Sequence, residues 1–153
     1  MSGEKINLYL ERLEEVFQYL IRRLHSELAR DIKKGITGSQ FIVLKKLGDR
    51  GKVTVTEVAE ELCVSLSAIT ALADRLCKAG YITRSRDQQD RRLVWLELTP
   101  EGKEILDLCQ DTRRKVVKKY FGQLPESDLE KLIEIYNKIA QILRSEEQKQ
   151  TVK

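Results

Sequence analysis

The sequence is short of the residues that brace small or secreted proteins. Only three of its 153 residues are cysteine and one is histidine. Cys63, Cys77 and Cys109 are odd in number and lack paired spacing, and only His25 is there to help them hold an ion, which argues against a disulfide framework and a metal site. Eight glycines and two prolines are too few for a linker-rich or disordered chain. No run approaches the ~20 apolar residues of a membrane span, and Met1-Ser2-Gly3-Glu4-Lys5 opens no signal-peptide core, so a cytoplasmic protein with no membrane partner is expected. A glycine-rich phosphate loop and a nucleophile–base pair are missing too, so neither an enzyme nor a bound cofactor is expected. What is present is 41% apolar and carries a net charge of +4. A chain of this length removes roughly 68–70% of its unfolded surface from water, enough for one domain without staples.

Apolar spacing supplies the fold. Ile6, Leu10, Leu13, Phe17, Leu20, Leu24 and Leu28 are spaced by steps of three or four, the period of an amphipathic helix with a narrow seam, and Gly35 is placed to end it. Thr37-Gly38-Ser39-Gln40 has the form of a capping box, opening a second helix through Phe41, Val43, Leu44 and Leu47 to a turn at 48–51. Thr54-Val55-Thr56-Glu57 repeats the device ahead of a short third helix with Val58, Ala59 and Leu62 inward. After a tight turn at Cys63-Val64-Ser65, Ser65 caps a fourth helix whose inner face is Ile69, Leu72, Ala73 and Leu76 and which Gly80 terminates. The period then changes to two, and residues 81–85 and 93–98 form a two-stranded hairpin around the polar stretch 86–91.

Thr99-Pro100 starts a fifth helix lined by Ile105, Leu106, Cys109, Thr112, Val116 and Tyr120. A sixth follows Leu124-Pro125, lined by Leu129, Leu132, Ile133, Tyr136, Ile139, Ala140 and Leu143, with residues after Arg144 expected to fray. The predicted class is mainly α (α+β): four helices, a β-hairpin wing, then two helices.

The unit from 54 to 98 points to double-stranded DNA. A helix-turn-helix presents the start of its second helix to the major groove, so exposed residues there must be small or polar. Ser65, Ser67, Ala68, Thr70 and Ala71 meet that requirement, and Arg75 and Lys78 continue the face towards backbone phosphates. In the hairpin, Asp87 and Asp90 sit among Arg84, Arg86, Arg91 and Arg92, leaving +2 over nine residues. An arginine on a thin ribbon suits the minor groove, and Asp90 is spaced to hold Arg92 by a charge-assisted hydrogen bond. Residues 52–98 carry seven basic and seven acidic side chains, so attraction to DNA has to come from clustering rather than bulk charge.

In these residues the chain resembles the MarR family of winged helix-turn-helix regulators, over nearly its full length. The resemblance rests on Thr54-Val55-Thr56-Glu57-Val58-Ala59-Glu60-Glu61-Leu62, on Asp74-Arg75-Leu76 followed by Gly80, and on Asp87-x-x-Asp90-Arg91-Arg92 leading to Leu98-Thr99-Pro100-Glu101-Gly102. It implies a single MarR-like domain over 1–153, with a DNA-binding core at 37–98 and helical dimerisation segments at 5–34 and 99–144. It also implies a homodimeric, ligand-responsive repressor on a palindromic operator, its recognition helices ~34 Å apart. The implied effector is a small aromatic or lipophilic anion. Thr70-Ala71-Leu72, where the family often has a basic residue, has none, which weakens the expectation of direct guanine readout there.

Other readings stand beside these. His25, next to the apolar seam, is ordinarily a structural or partly exposed side chain; the resemblance offers it a place near an effector pocket. The three cysteines read by default as small buried apolar groups. Trp95, Tyr9, Tyr19, Tyr120 and Tyr136 read as packing residues, and the cations Arg113, Arg114, Lys115, Lys118 and Lys119 as a solvated face. The alternative functions are a winged-helix dimer that binds a protein partner and a cysteine-based redox-responsive regulator.

Overall fold

The computed structural model describes residues 3–31 and 35–151. Its elements run α1 (Gly3–Asp31), α2 (Gly38–Arg50), β1 (Lys52–Thr54), α3 (Val55–Glu61), α4 (Leu66–Lys78), β2 (Ile82–Arg86), β3 (Val94–Leu98), α5 (Pro100–Phe121) and α6 (Glu126–Thr151). The fold is mainly α with a small antiparallel sheet. The chain divides into two compact units, Met1–Arg113 and Arg114–Lys153.

In the first unit the local signals act as read. Thr37 caps α2 by accepting from the Gln40 backbone at 3.2 Å, while the Gln40 side chain accepts from the Thr37 N–H at 2.9 Å. Thr54 and Glu57 repeat the exchange at 3.1 and 2.8 Å. At the end of α4, Gly80 takes a left-handed conformation (φ +79°), and the Gly80 and Tyr81 amides bond back to the Cys77 and Leu76 carbonyls, closing the last turn. Where α1 gives way to Gly35 lies outside the described residues, as do the last positions of the 5–34 segment.

The hairpin has a third strand beside it. β3 is central: Val53 of β1 faces Leu96, and Ile82, Arg84 and Arg86 of β2 face Leu98, Leu96 and Val94. The expected two-stranded ribbon is thus a three-stranded sheet ordered β1-β3-β2. β1 has only three residues, too few to show a period of two, and its partner lies some forty positions downstream. Val43, Leu44 and Leu47 of α2 meet Val53, Val58, Ile69, Leu76, Leu96 and the α5 residues Ile105 and Cys109 in one core.

Gly102, part of the Thr99-Pro100-Glu101-Gly102 start of α5, explains itself here. The Thr99 hydroxyl accepts from the Gly102 amide at 2.9 Å and donates to the Gly80 carbonyl at 2.6 Å, drawing the helix start onto the end of α4. A Cβ on Gly102 would collide with the Tyr81 carbonyl, which is backbone and already accepts from the Thr99 amide. Gly102→Ala is therefore expected to destabilise the protein by about 1–3 kcal/mol in chemical denaturation.

The second unit contains the end of α5 and all of α6. Val116 is buried and Leu129, Leu132 and Ala140 are half-buried, whereas Ile133, Tyr136, Ile139 and Leu143 are exposed. α6 does not loosen after Arg144 as expected but continues to Thr151. The Ser145 hydroxyl donates to the Ile142 carbonyl at 2.7 Å and Lys149 pairs with Glu146 at 2.8 Å, local contacts that a search for apolar spacing overlooks.

Candidate nucleic-acid interface

The reader begins at the turn between α3 and α4. The Cys63 and Val64 amides bond to the Glu60 and Ala59 carbonyls, the same closure that Gly80 completes after α4, but here the left-handed position (φ +52°) is held by Cys63. This corrects the expected burial of Cys63: the turn projects it into solvent, Cys77 is half-buried and only Cys109 is enclosed. Burial pushes the Cys109 thiol pKa up.

Ser65 caps α4, its hydroxyl accepting from the Ala68 amide at 3.2 Å and lying 3.1 Å from the Ser67 hydroxyl. Ile69, Ala73 and Leu76 turn inward, leaving Ser67, Ala68, Thr70, Ala71, Arg75 and Lys78 exposed. Thr70 donates its hydroxyl proton to the Leu66 carbonyl at 2.9 Å. Outward it offers a methyl group and acceptor lone pairs, not a donor.

The wing is organised by two aspartates. Asp87 accepts from the Gln89 and Asp90 amides at 3.0 and 2.9 Å through one oxygen and from the Trp95 indole N–H at 3.0 Å through the other. These bonds, the Asp90 amide first and the indole second, hold its carboxyl below the ordinary aspartate range. Asp90 holds Arg92 as the spacing predicts, accepting from its amide and its Nε, each at 3.1 Å. Sequence spacing does not show the central role of Asp87, because its partner Trp95 lies across the hairpin.

A depressed native pKa means that the Asp87 bonds stabilise the wing at neutral pH and are lost only as pH falls through that native value. Trp95 is the sole tryptophan, so its fluorescence reports this step. The emission maximum is expected to hold from neutral pH down through the usual aspartate range and to shift red only below it. Asp87→Asn sets an amide N–H₂ against one of these donors, so it should show the red shift already at pH 7.

Arg84, expected to contact DNA, is paired with Asp74 of α4, which raises its pKa further and ties β2 to α4. Even so, Arg84 and Arg92 line one groove with Thr70, Leu66, Thr56 and Val94. Five of the seven acidic residues in 52–98 have internal work. Glu57 caps α3, Glu61 holds Lys46 and Arg50 of α2, Asp74 takes Arg84, and Asp87 and Asp90 shape the wing. Arg75, Lys78, Arg86 and Arg91 are exposed with no acidic partner among the described residues. The neutral count therefore conceals a cationic outer face. Lys52, not singled out from sequence, adds a further cation, its Nζ 5.3 Å from the Trp95 ring centre.

Residues 36–94 match the family model described as "MarR family". The HTH-type transcriptional repressor MdtR of Bacillus subtilis (strain 168) is 33% identical over 137 residues, 89% of this chain and 88% of that protein. The chain belongs to the MarR family. Two solved structures agree. The YusO protein of Bacillus subtilis is 30% identical with a TM-score of 0.71, the match covering 92% of this chain and 99% of that one. Streptococcus pneumoniae FabT, solved in complex with DNA, is 27% identical with a TM-score of 0.74, covering 94% and 99%.

MarR-family proteins are DNA-binding transcriptional regulators, and this chain's relatives are regulators rather than enzymes. Among the described residues no helix is long and apolar enough to cross a membrane. His25 is exposed on α1, where Leu28, Phe41 and Arg113 line a small cavity with it, the Arg113 guanidinium lying 4.5 Å from the Phe41 ring centre.

Proposed function

We propose that the chain is a cytoplasmic, ligand-responsive repressor that binds a palindromic operator as a homodimer. The observation that carries this is the shared groove: Thr70 on α4 and Arg84 and Arg92 on the wing face one space, while the acidic residues nearby are occupied internally. In this reading Ser67, Ala68, Thr70 and Ala71 enter the major groove, with Ser65 fixing the helix start. Arg75 and Lys78 meet phosphates, and Arg86, Arg91 and Arg92 reach the minor groove. Asp90 and Arg84 act as positioning residues. Repression is supported by the name of MdtR, and DNA as partner by the FabT complex.

Dimerisation is supported by the apolar faces left in water: Ile6, Leu10, Leu13, Phe17 and Leu20 on α1, and Ile133, Tyr136, Ile139 and Leu143 on α6. A monomer rarely leaves that much apolar surface exposed, and a second copy covers the 5–34 and 99–144 segments. The effector reading rests on the cavity at His25, whose Leu28, Ala29 and Phe41 walls suit a small aromatic body and whose Arg113 suits an anionic group. An effector that favours a dimer spacing out of step with the grooves lowers affinity about 5- to 150-fold.

Titration of duplex DNA at several salt concentrations tests the reading. A dimer that covers about six phosphates should give a log–log slope near −5, roughly −0.9 per phosphate. A flat response would instead favour a winged-helix dimer serving a protein partner.

A further inference from the structure

One large apolar side chain on the reading face is unexplained by core or cap. Leu66, the first residue of α4, is 54% exposed, whereas Ile69, Ala73 and Leu76 of the same helix are buried. It lies one helical turn before Thr70, and both line the groove that Arg84 and Arg92 share. From Ser65 to Ala73 the helix has no charged side chain. With its proton given to the Leu66 carbonyl, Thr70 adds a methyl and an acceptor to the same spot.

A leucine in this place has one favourable counterpart on DNA. Base edges in the major groove present mainly hydrogen-bonding groups, and the one apolar group that protrudes from them is the 5-methyl of thymine. Leucine against a polar edge strips water from that edge without replacing its bond, whereas leucine against a methyl removes two apolar surfaces from water. Arg92 beside it and the exposed Arg75 and Lys78 farther along α4 draw the polyanion that brings such a methyl within reach.

We propose that Leu66, assisted by the Thr70 methyl, is a specificity-determining residue that reads thymine through its 5-methyl group. The inference deepens the DNA reading above and rests on it. It predicts a thymine at a fixed position in each half-site, recognised by shape and hydrophobicity with no hydrogen bond from Leu66.

The test uses the full chain and a duplex that it selects from a randomised pool. Each half-site thymine is replaced in turn by deoxyuridine, which removes only the methyl. At one position the unmodified protein is expected to lose about fourfold in affinity, the effect of one buried methyl. Leu66→Ala should bind the thymine duplex about fourfold more weakly and be indifferent to the replacement. Because the methyl is removed from the DNA, the first measurement needs no variant protein. If no replacement weakens the unmodified protein, or if Leu66→Ala responds to it equally, the inference is overturned, and Arg92→Ala then separates the causes. Loss of binding in Arg92→Ala leaves α4 and the wing as the reader without thymine recognition by Leu66. Binding left unchanged by Arg92→Ala and by Arg91→Ala alike overturns the DNA reading and the inference together.

Discussion

A chain carrying Leu13→Glu and Phe17→Glu is expected to sediment as a monomer and to lose about 100-fold or more in affinity for a palindromic duplex. Leu13 and Phe17 are 61% and 58% exposed in the single chain. Neither belongs to the buried core of its own copy, so helical content by circular dichroism should hold. At a two-fold interface each residue meets its own surroundings twice, and four new carboxylates brought together cost several kcal/mol. The effect on DNA follows from linkage of two half-site readers. A tethered second reader meets its half-site at an effective concentration near the millimolar range, which raises avidity by about 10²- to 10⁴-fold without any new contact. Breaking the dimer forfeits that gain while leaving α4 and the wing intact. A monomeric variant with undiminished affinity would remove the homodimer from the proposal, whereas a variant that stays dimeric would place the interface away from this part of α1.

This prediction draws on a part of the molecule that was legible from residue spacing alone. The steps of three and four from Ile6 to Leu28 declare an apolar seam, and the structure leaves most of it uncovered by its own chain. Caps were equally legible. Thr37 with Gln40, Thr54 with Glu57, and Ser65 act over three residues, and such local bonds depend on little else. Features that need a distant partner were not. Lys52–Thr54 is a strand only because Glu97, Leu96 and Trp95 pair with it. Asp87 is held by an indole across the hairpin, and Asp74 claims Arg84 from another element. Counted along the sequence, these acids cancel the basic residues of 52–98. In three dimensions their negative charge is directed into the scaffold, and the cations remain outside. Cys63 shows the reverse error: its residue type argues for burial, yet the backbone closure between α3 and α4 puts it in solvent.

The same separation of charge makes Arg92→Ala the second large effect, an expected loss of about 10- to 100-fold across all duplex sequences. The Arg92 side chain is 91% exposed, yet its Nε is held on Asp90 at 3.1 Å. A guanidinium anchored at one edge and free at the other is preorganised: it surrenders less conformational freedom on entering a narrow groove than an untethered arginine does. Both wings of a dimer lose the contact together, so the salt slope should fall by about two, one for each cation removed. Relative preference among sequences should change little, because the minor groove distinguishes bases weakly. Thr70→Val tests the opposite behaviour. It keeps a methyl and removes the outward acceptor, so it should reorder sequence preference while leaving the salt slope unchanged. Arg92→Lys divides the arginine's contribution further. It retains the charge, and hence the slope, but forfeits the Nε bond to Asp90, so its affinity should fall between those of the unmodified chain and Arg92→Ala. If Arg92→Ala binds normally while Arg91→Ala does not, the groove contact belongs to the neighbouring arginine, and the Asp90 bond serves only to shape the turn.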